Sequence, residues 1–324
     1  MSRLRVVVIG GGNNSEHEVS LASAASVAAG LDRSRYDVIP LTIDRVGRWE
    51  DAAGVEIGLS RAIEVLRGCD VVIPMVHGRL GEDGALAALC ELIGVPYVGS
   101  GIGAGAIGMD KRMTKLLANA AGIPTAAAVL LDRTTAHAYR FREPVVVKPL
   151  SAGSSVGVSL VTSPASLTDA VDAALAVDDH ILIEERLIGR EIDVAVLRRA
   201  DGGTIVTPAL EIVVDGVFDH GAKYGGQAVF RVPAVLGDEE RWELERAAER
   251  MYDALDCSGV ARIDFFVTAD GPVLNEVNTT PGFTAQSQVP RMFAAAGIRY
   301  PELLDLLVEA ALADGRSADR RIMA

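Results

Sequence analysis

The chain has 324 residues, with 31 basic against 44 acidic side chains and a formal net charge of −13. That length suggests two or three domains and a core large enough to stand without disulfides or structural metals. Such acidity argues against nucleic acid or an anionic membrane held by bulk electrostatics, and 49% hydrophobic with 23% charged residues excludes disordered and disulfide-rich classes.

The first third alternates apolar strands (4–9, 37–42, 71–76) with helices (20–31, 84–93). This is the pattern of a parallel sheet covered on both faces. The chain enters its first strand directly, without signal-peptide character, and no apolar run approaches bilayer length, so a soluble, cytoplasmic protein is expected. Ser15 and Glu18 have the spacing of a helix capping box. The glycine-dense stretch 99–105 reads as a turn and a domain boundary. A helix over 110–121 follows, then strands 145–148 and 159–161 around a Gly/Ser-rich loop, a helix over 164–176 and a strand at 181–185. This middle part reads as a small α+β unit. The last part opens with strands 192–197 and 205–210. A long irregular stretch, 214–232, carries His220, Lys223, Tyr224 and Gln227 among four glycines, and long loops inside compact chains are usually functional. A mobile lid is the reading, with a plain surface loop as the alternative. A helix over 238–255, capped by Asp238, precedes two strands, 259–267 and 273–277, joined by an Asp270-Gly271 turn. Helices over 289–296 and 300–313 end the fold. Cys69, Cys90 and Cys257 are widely spaced and read as core thiols in a reducing compartment.

Chemistry concentrates in five places. Arg262 and Asp264 lie two apart on one strand, as do Glu276 and Asn278 on the next, so each pair shares a face. Carboxylates on otherwise apolar strands need partners, and a hard cation such as Mg²⁺, completed by water and nucleotide phosphates, would supply one. Outward-facing polar residues on a half-exposed sheet are the alternative. Lys148 ends an apolar strand and faces the loop 151–157, whose backbone amides could close on phosphate oxygens. No Walker A pattern is present, and 10–15 lacks the third glycine of a dinucleotide fingerprint. Lys111, opening a helix, is a further phosphate candidate. The segment 181–191 looks like a hinge whose amides could read a base edge, with Glu191 toward ribose, or a solvated acidic pair. Pro281-Gly282 makes a tight turn beside the metal candidates, where a free Gly282 N–H could stabilise an oxyanion and Thr284 and Ser287 could hold a carboxylate. Glu16 and His77 follow parallel strands at their carboxyl ends, where open α/β sheets bind ligands.

Taken in order, Ser15-Glu-His-Glu-Val-Ser20, His77-Gly with Gly81-Glu-Asp-Gly84, Met109-Asp-Lys111, Val147-Lys-Pro149 with Gly153–Gly157, Ala222-Lys-Tyr224, Arg262-Ile-Asp264 and Glu276-Val-Asn-Thr-Thr-Pro-Gly-Phe-Thr284 resemble the D-alanine–D-alanine ligases, an ATP-grasp family, along essentially the whole chain. The resemblance implies a Rossmann-like N-terminal domain (1–101), a central ATP-grasp domain (102–187) and a C-terminal ATP-grasp domain (188–324), the last two clamping ATP. It implies ATP-dependent joining of two D-alanines through an acyl-phosphate, releasing ADP and phosphate. Asp264, Glu276 and Asn278 would bind two Mg²⁺ ions, with Mn²⁺ as a substitute. Lys111, Lys148 and Lys223 would contact phosphates, Glu184 and Leu187 would line the adenine site, and Glu191 would hold the ribose. Glu16 would hold the first ammonium, Ser154 and Tyr224 would link to it and lock the lid, and Arg262 with the Gly282 N–H would form the oxyanion site. Ser287 would bind the second carboxylate, with His77 and Gln288 beside the substrates. A homodimer is implied, with no nucleic-acid or membrane partner. Gln288 stands where the family commonly has an apolar residue, and His17 where it commonly has arginine, which bears on the second substrate. Tyr224 favours an amine acceptor over D-lactate. A ligase with another D-amino acid acceptor, or a nucleotide-binding protein without catalysis, are the alternatives.

Overall fold

The computed structural model describes residues 3–213 and 229–322; the side chains of 316–322 are not described. Lys223, Tyr224 and most of the expected lid, 214–228, lie outside the described residues.

Three sheets follow one another along the chain. The first has the order β3-β2-β1-β4 and contains β1 (Leu4–Gly11), β2 (Tyr36–Ile43), β3 (Trp49–Glu50) and β4 (Val71–Pro74). β2, β1 and β4 are parallel, and β3 is an antiparallel edge. The run Val6-Val7-Val8-Ile9 is buried on both faces, as an apolar strand covered by helices must be. Val7 and Ile9 pack with Ala62 and Leu66 of α2 (Gly58–Arg67) and with Leu86 and Cys90 of α3 (Ala85–Ile93). Val6 and Val8 pack against the C-terminal helices α8 (Gln288–Ala295) and α9 (Tyr300–Ile322) through Phe293, Leu304 and Leu307. The chain's end thus completes the core of its beginning, and α9 runs well past residue 313, where the sequence suggested it stops.

The capping box is not made. α1 (His17–Gly30) has Glu16 at its N-cap with no side-chain cap; Asn14 accepts the Glu16 N–H instead, and Glu18 pairs with Arg45 on the surface. Nor does Asp238 cap the helix Asp238–Ala254, α7, whose N-cap is Gly237. The glycine-dense stretch is also corrected: Ile102–Met109 is a helix, α4. One of its glycines, Gly105, serves close approach. A Cβ on Gly105 would sit 2.6 Å from the Glu82 carbonyl oxygen, closer than real Cβ contacts allow. The helix therefore keeps glycine despite its poor propensity, and the composition mimics a turn.

The second sheet, β5-β8-β6-β7, is wholly antiparallel: β5 (Ala128–Asp132), β6 (Val145–Pro149), β7 (Ser159–Val161) and β8 (His180–Glu185). One face packs on α6 (Leu167–Leu175). The third sheet runs β12-β11-β9-β13-β14, with β10 (Thr204–Val206) beside β9 (Arg190–Arg198). The single strand expected at 205–210 is two, β10 and β11 (Leu210–Val213); β12 is Val229–Arg231. β13 (Val260–Thr268) and β14 (Gly271–Asn278) form the expected hairpin. Leu244, Ala248 and Met251 of α7 are buried on this sheet, each contributing about 1–3 kcal/mol of apolar burial. Ala104 of α4 and Ala118 of α5 (Lys111–Ala120) join the same core, so these two helices pack on the third sheet rather than the second. No described helix is long and apolar enough to cross a membrane.

Candidate active site

Two clefts meet between the sheets. The larger, about 270 Å³, lies between the second and third sheets and is lined by Lys111, Lys148, Glu184, Leu187, Glu191 and Glu276, among others. The smaller, about 200 Å³, lies where the first sheet's carboxyl end faces β13 and β14 and is lined by Glu16, His77, Ser154, Arg262, Gly282 and Ser287, among others.

In the larger cleft the charges are paired with one another. Lys148 and Lys115 bracket Glu184 at 2.7 and 2.9 Å, and all three are buried. Burial pushes the Glu184 carboxyl up, but the two ammonium groups outweigh it and hold it below the usual range. Burial likewise pulls Lys115 down. Lys115, which the sequence did not single out, thus serves the site by fixing Glu184. In the hinge between β8 and β9 the Glu185 and Arg186 N–H groups go to Ala127 and Pro144 carbonyls, whereas the Leu187 N–H has no partner among the described residues. Lys111 Nζ donates to the Ala152 carbonyl at 2.8 Å and stands 3.7 Å from Glu276. It ties the loop 151–157 to the third sheet.

The hairpin brings the paired polar residues together. Arg262 is opposite Asn278, and Asp264 is opposite Glu276, in the β13–β14 register. On the other side of β13, Asp193 of β9 is opposite Asp264, so three carboxylates form a row across three strands. Arg262 chelates Asp264, Nε and Nη2 each at 2.7 Å from a carboxylate oxygen, and Asn278 donates to Asp264 at 3.0 Å. Burial alone lowers the Arg262 pKa, but Asp264, Asp193 and Glu276 overcome that and raise it. The donor set Asp264, Glu276 and Asn278 is all oxygen, which fits Mg²⁺. Among the described residues no group of three His, Cys, Asp or Glu side chains is placed to hold a metal ion.

In the smaller cleft Glu16 is gripped by the loop that follows β6. Ser154 donates its hydroxyl to the Glu16 carboxylate. Ser154 and Ser155 adopt left-handed backbones, φ +52° and +55°, a conformation that L-residues hold only under constraint. Glycines let this approach happen: a Cβ on Gly78 or Gly153 would lie 2.6 Å from a Glu16 carboxylate oxygen. His77 lines the cleft, but both ring nitrogens are engaged, Nδ1 with the Thr280 carbonyl at 2.7 Å and Nε2 with Ser23 Oγ at 2.9 Å. Nδ1 must carry a proton to meet a carbonyl, and burial, the largest influence on the ring, lowers its pKa and so favours the neutral form. The polar buried face of α1, Ser20 and Ser23, exists for this contact.

The turn 280–287 is pinned through its own amides. The Thr280 N–H goes to Glu82, Phe283 to Ser23, Thr284 to Ser287 and Ala285 to Ser26. The Gly282 N–H has no partner among the described residues. Glu82, unassigned from sequence, also accepts from Gly78; burial and the nearby Glu16 push its carboxyl up to about 7. Gln288 Oε1 accepts from Arg262 Nη1 at 2.8 Å and its amide donates to Asp193 at 2.8 Å. His17 is buried with Nδ1 on the Gly12 carbonyl. Asp193, fully buried, is the clearest residue the sequence reading passed over; its position two before Ala195 on an apolar strand was the available signal.

The arrangement can hold an anionic phosphate chain against lysines, a small zwitterion between a carboxylate and a guanidinium, and an oxyanion at Gly282. Comparison with known proteins shows the family. The family profile described as D-ala D-ala ligase N-terminus matches residues 5–100, and that described as D-ala D-ala ligase C-terminus matches 117–309. The chain is 41% identical to a D-alanine–D-alanine ligase of Nocardia farcinica, over 97% of this chain and 98% of the relative. It is 40% identical to one of Mycobacterium bovis, over 97% and 96%. Among solved structures it is similar to a D-alanine–D-alanine ligase from Coxiella burnetii, at 31% identity and TM-score 0.83 over 100% of this chain and 98% of the other. It is also similar to a D-Ala:D-Ser ligase from Enterococcus faecalis, at 32% identity and TM-score 0.85 over 96% and 100%.

Proposed function

The chain belongs to the D-alanine–D-alanine ligase family, and from that premise we infer that it joins two D-alanines with ATP, releasing ADP and phosphate, to supply the dipeptide for peptidoglycan. The observation that carries the reading is the smaller cleft. It is the size of one or two small amino acids, with the Glu16 carboxylate and the Arg262 guanidinium both in its lining. Among the described residues Arg262 is the only lysine or arginine there.

In this reading ATP lies in the larger cleft. Leu187 offers its N–H to the adenine edge, Glu184 faces the base, Glu191 holds the ribose, and Lys111, Lys148 and Lys223 take the phosphates. Asp264, Glu276 and Asn278 would hold Mg²⁺, which would neutralise the transferring phosphoryl group. Glu16, steadied by Ser154 and Tyr224, receives the first ammonium and turns its carboxylate toward ATP. Arg262 and the Gly282 N–H stabilise the oxyanion formed when the second amine attacks the acyl-phosphate. Ser287, at the start of α8, takes the second carboxylate, where the helix terminus favours an anion. His77 shapes the pocket by holding Thr280, and Gln288 borders it. Water must be kept from the acyl-phosphate, which it otherwise hydrolyses.

The finer points belong to the same proposal: two Mg²⁺ ions replaceable by Mn²⁺, a homodimer, a cytoplasmic location, and domains bounded near residues 101 and 187. The test is incubation with ATP, Mg²⁺ and D-alanine, following phosphate, ADP and dipeptide. D-alanine-dependent phosphate with equimolar dipeptide is expected. AMP and pyrophosphate, or no D-alanine dependence, overturns the reading. Offering D-serine and D-lactate as acceptors in the same assay separates this function from that of the D-Ala:D-Ser relative.

A further inference from the structure

We propose that Gln288 and Asp193 are a positioning pair that fixes the Arg262 guanidinium for catalysis. Arg262 has five N–H donors. Two go to Asp264 and one, on Nη1, goes to Gln288 Oε1. The Gln288 amide donates in turn to Asp193 Oδ2, which itself lies 3.5 Å from Arg262 Nε. The guanidinium is thereby held along two edges, and the two N–H groups not used in these bonds are the ones left for a ligand.

The two edges differ in kind. Asp264 is shared with the cation site, so a bound ion competes for its lone pairs. The Gln288–Asp193 arm instead runs through Gln288 Oε1 and Asp193 Oδ2, oxygens outside the proposed metal-donor set. Asp193 has no surface exposure, and a carboxylate is retained in such a place only when partnered and charge-balanced. It sits directly across from Asp264, and the positive charge of Arg262 between them relieves their repulsion. The small Ala195 opposite Arg262 on β9 leaves room for the arginine to lie over both. An apolar residue at 288 could fill the space but could neither accept from Arg262 nor donate to Asp193.

The inference rests on Arg262 facing the reacting carboxyl group, and the test separates the two ideas. Four variants of the full chain are compared with wild type: Gln288→Met, Asp193→Ala, Asp193→Asn and Arg262→Lys. Misplacing a catalytic group by a fraction of an ångström lowers kcat, so Gln288→Met and Asp193→Ala should each lose about tenfold or more in kcat, with KM for ATP and both D-alanines within about twofold. Asp193→Asn keeps an oxygen for the Gln288 amide and should recover most of the Asp193→Ala loss. Unchanged thermal midpoints show that the variants are folded; if Asp193→Ala does not fold, Gln288→Met decides. Wild-type kcat in folded Gln288→Met overturns the proposal. So does a loss confined to KM of the second amino acid, which makes Gln288 only a wall of the acceptor pocket. Full activity in Arg262→Lys instead overturns the role of Arg262 itself.

Discussion

Ser154 donates its hydroxyl to the Glu16 carboxylate across 138 residues of sequence, joining the loop after β6 to the start of α1. The contact has a local cost, because Ser154 stands in a left-handed conformation, worth roughly 1 kcal/mol of strain in an L-residue. Two substitutions separate the strain from the function. Ser154→Gly should relieve the strain and keep the melting temperature at or above wild type, while Ser154→Ala keeps it. Both lose the hydroxyl, so both should raise KM for the first D-alanine. Thermal melts with steady-state kinetics check this; a normal KM in either folded variant removes Ser154 from substrate binding.

The Lys148–Glu184–Lys115 cluster predicts an asymmetry. Glu184→Gln leaves two buried ammonium groups without their carboxylate, at a cost on the order of 3–5 kcal/mol. Lys148→Met leaves Glu184 paired with Lys115, 2.9 Å away, and should cost clearly less. Both should weaken ATP binding. Denaturant melts of the two variants give the order of stabilities, and equal stabilities would show that the cluster is not the balanced unit the geometry describes.

Glu82 gives a pH signature. Its carboxyl is pushed from an ordinary 4.5 up to about 7 by burial and by Glu16. Between those values the folded protein holds a proton that the unfolded chain releases, so stability falls as pH rises through this window. A shift of that size corresponds to about 3 kcal/mol at most. Glu82→Gln cannot ionise and should flatten the curve between about pH 5 and 8. Denaturant melts across that range measure it, and parallel curves for wild type and variant would contradict the assignment.

What the sequence disclosed follows from how each signal is encoded. Periodicity located β1, α7 and the β13–β14 hairpin because apolar spacing and a turn dipeptide are local. Side-chain alternation along a strand put Arg262 on the same face as Asp264, and Glu276 on the same face as Asn278, before their register was known. α4 was hidden because Gly105 answers to a distant partner, the Glu82 carbonyl, and local composition carries no trace of that. Asp193, Lys115 and Glu82 were hidden for a related reason. Each acts through a side chain far away in sequence, and a lone charged residue looks solvated until its burial is seen. His77 was legible as part of the site, but that its two nitrogens meet Thr280 and Ser23 depends on the docking of the 280–287 turn against α1.

Gly153 offers the sharpest steric test of the Glu16 site. Its backbone is not left-handed, so alanine is conformationally acceptable there, and the substitution isolates one added methyl group. That methyl would lie 2.6 Å from one Glu16 carboxylate oxygen and 3.1 Å from the other, inside van der Waals contact on both. Either the carboxylate turns away or the loop 151–157 retreats, and both break the Ser154 contact. The carboxylate then no longer stands where the first ammonium is to bind. Gly153→Ala should therefore raise KM for the first D-alanine by about tenfold or more, a loss of order 1.4 kcal/mol in binding, while ATP affinity, which also draws on Lys148 and Glu184 of β6 and β8, should fall by less. Isothermal titration with ATP analogues and steady-state kinetics with D-alanine give the two readouts. Normal D-alanine kinetics in a folded Gly153→Ala protein would mean that Glu16 is not the ammonium site, since the close approach that fixes it would have been lost without consequence.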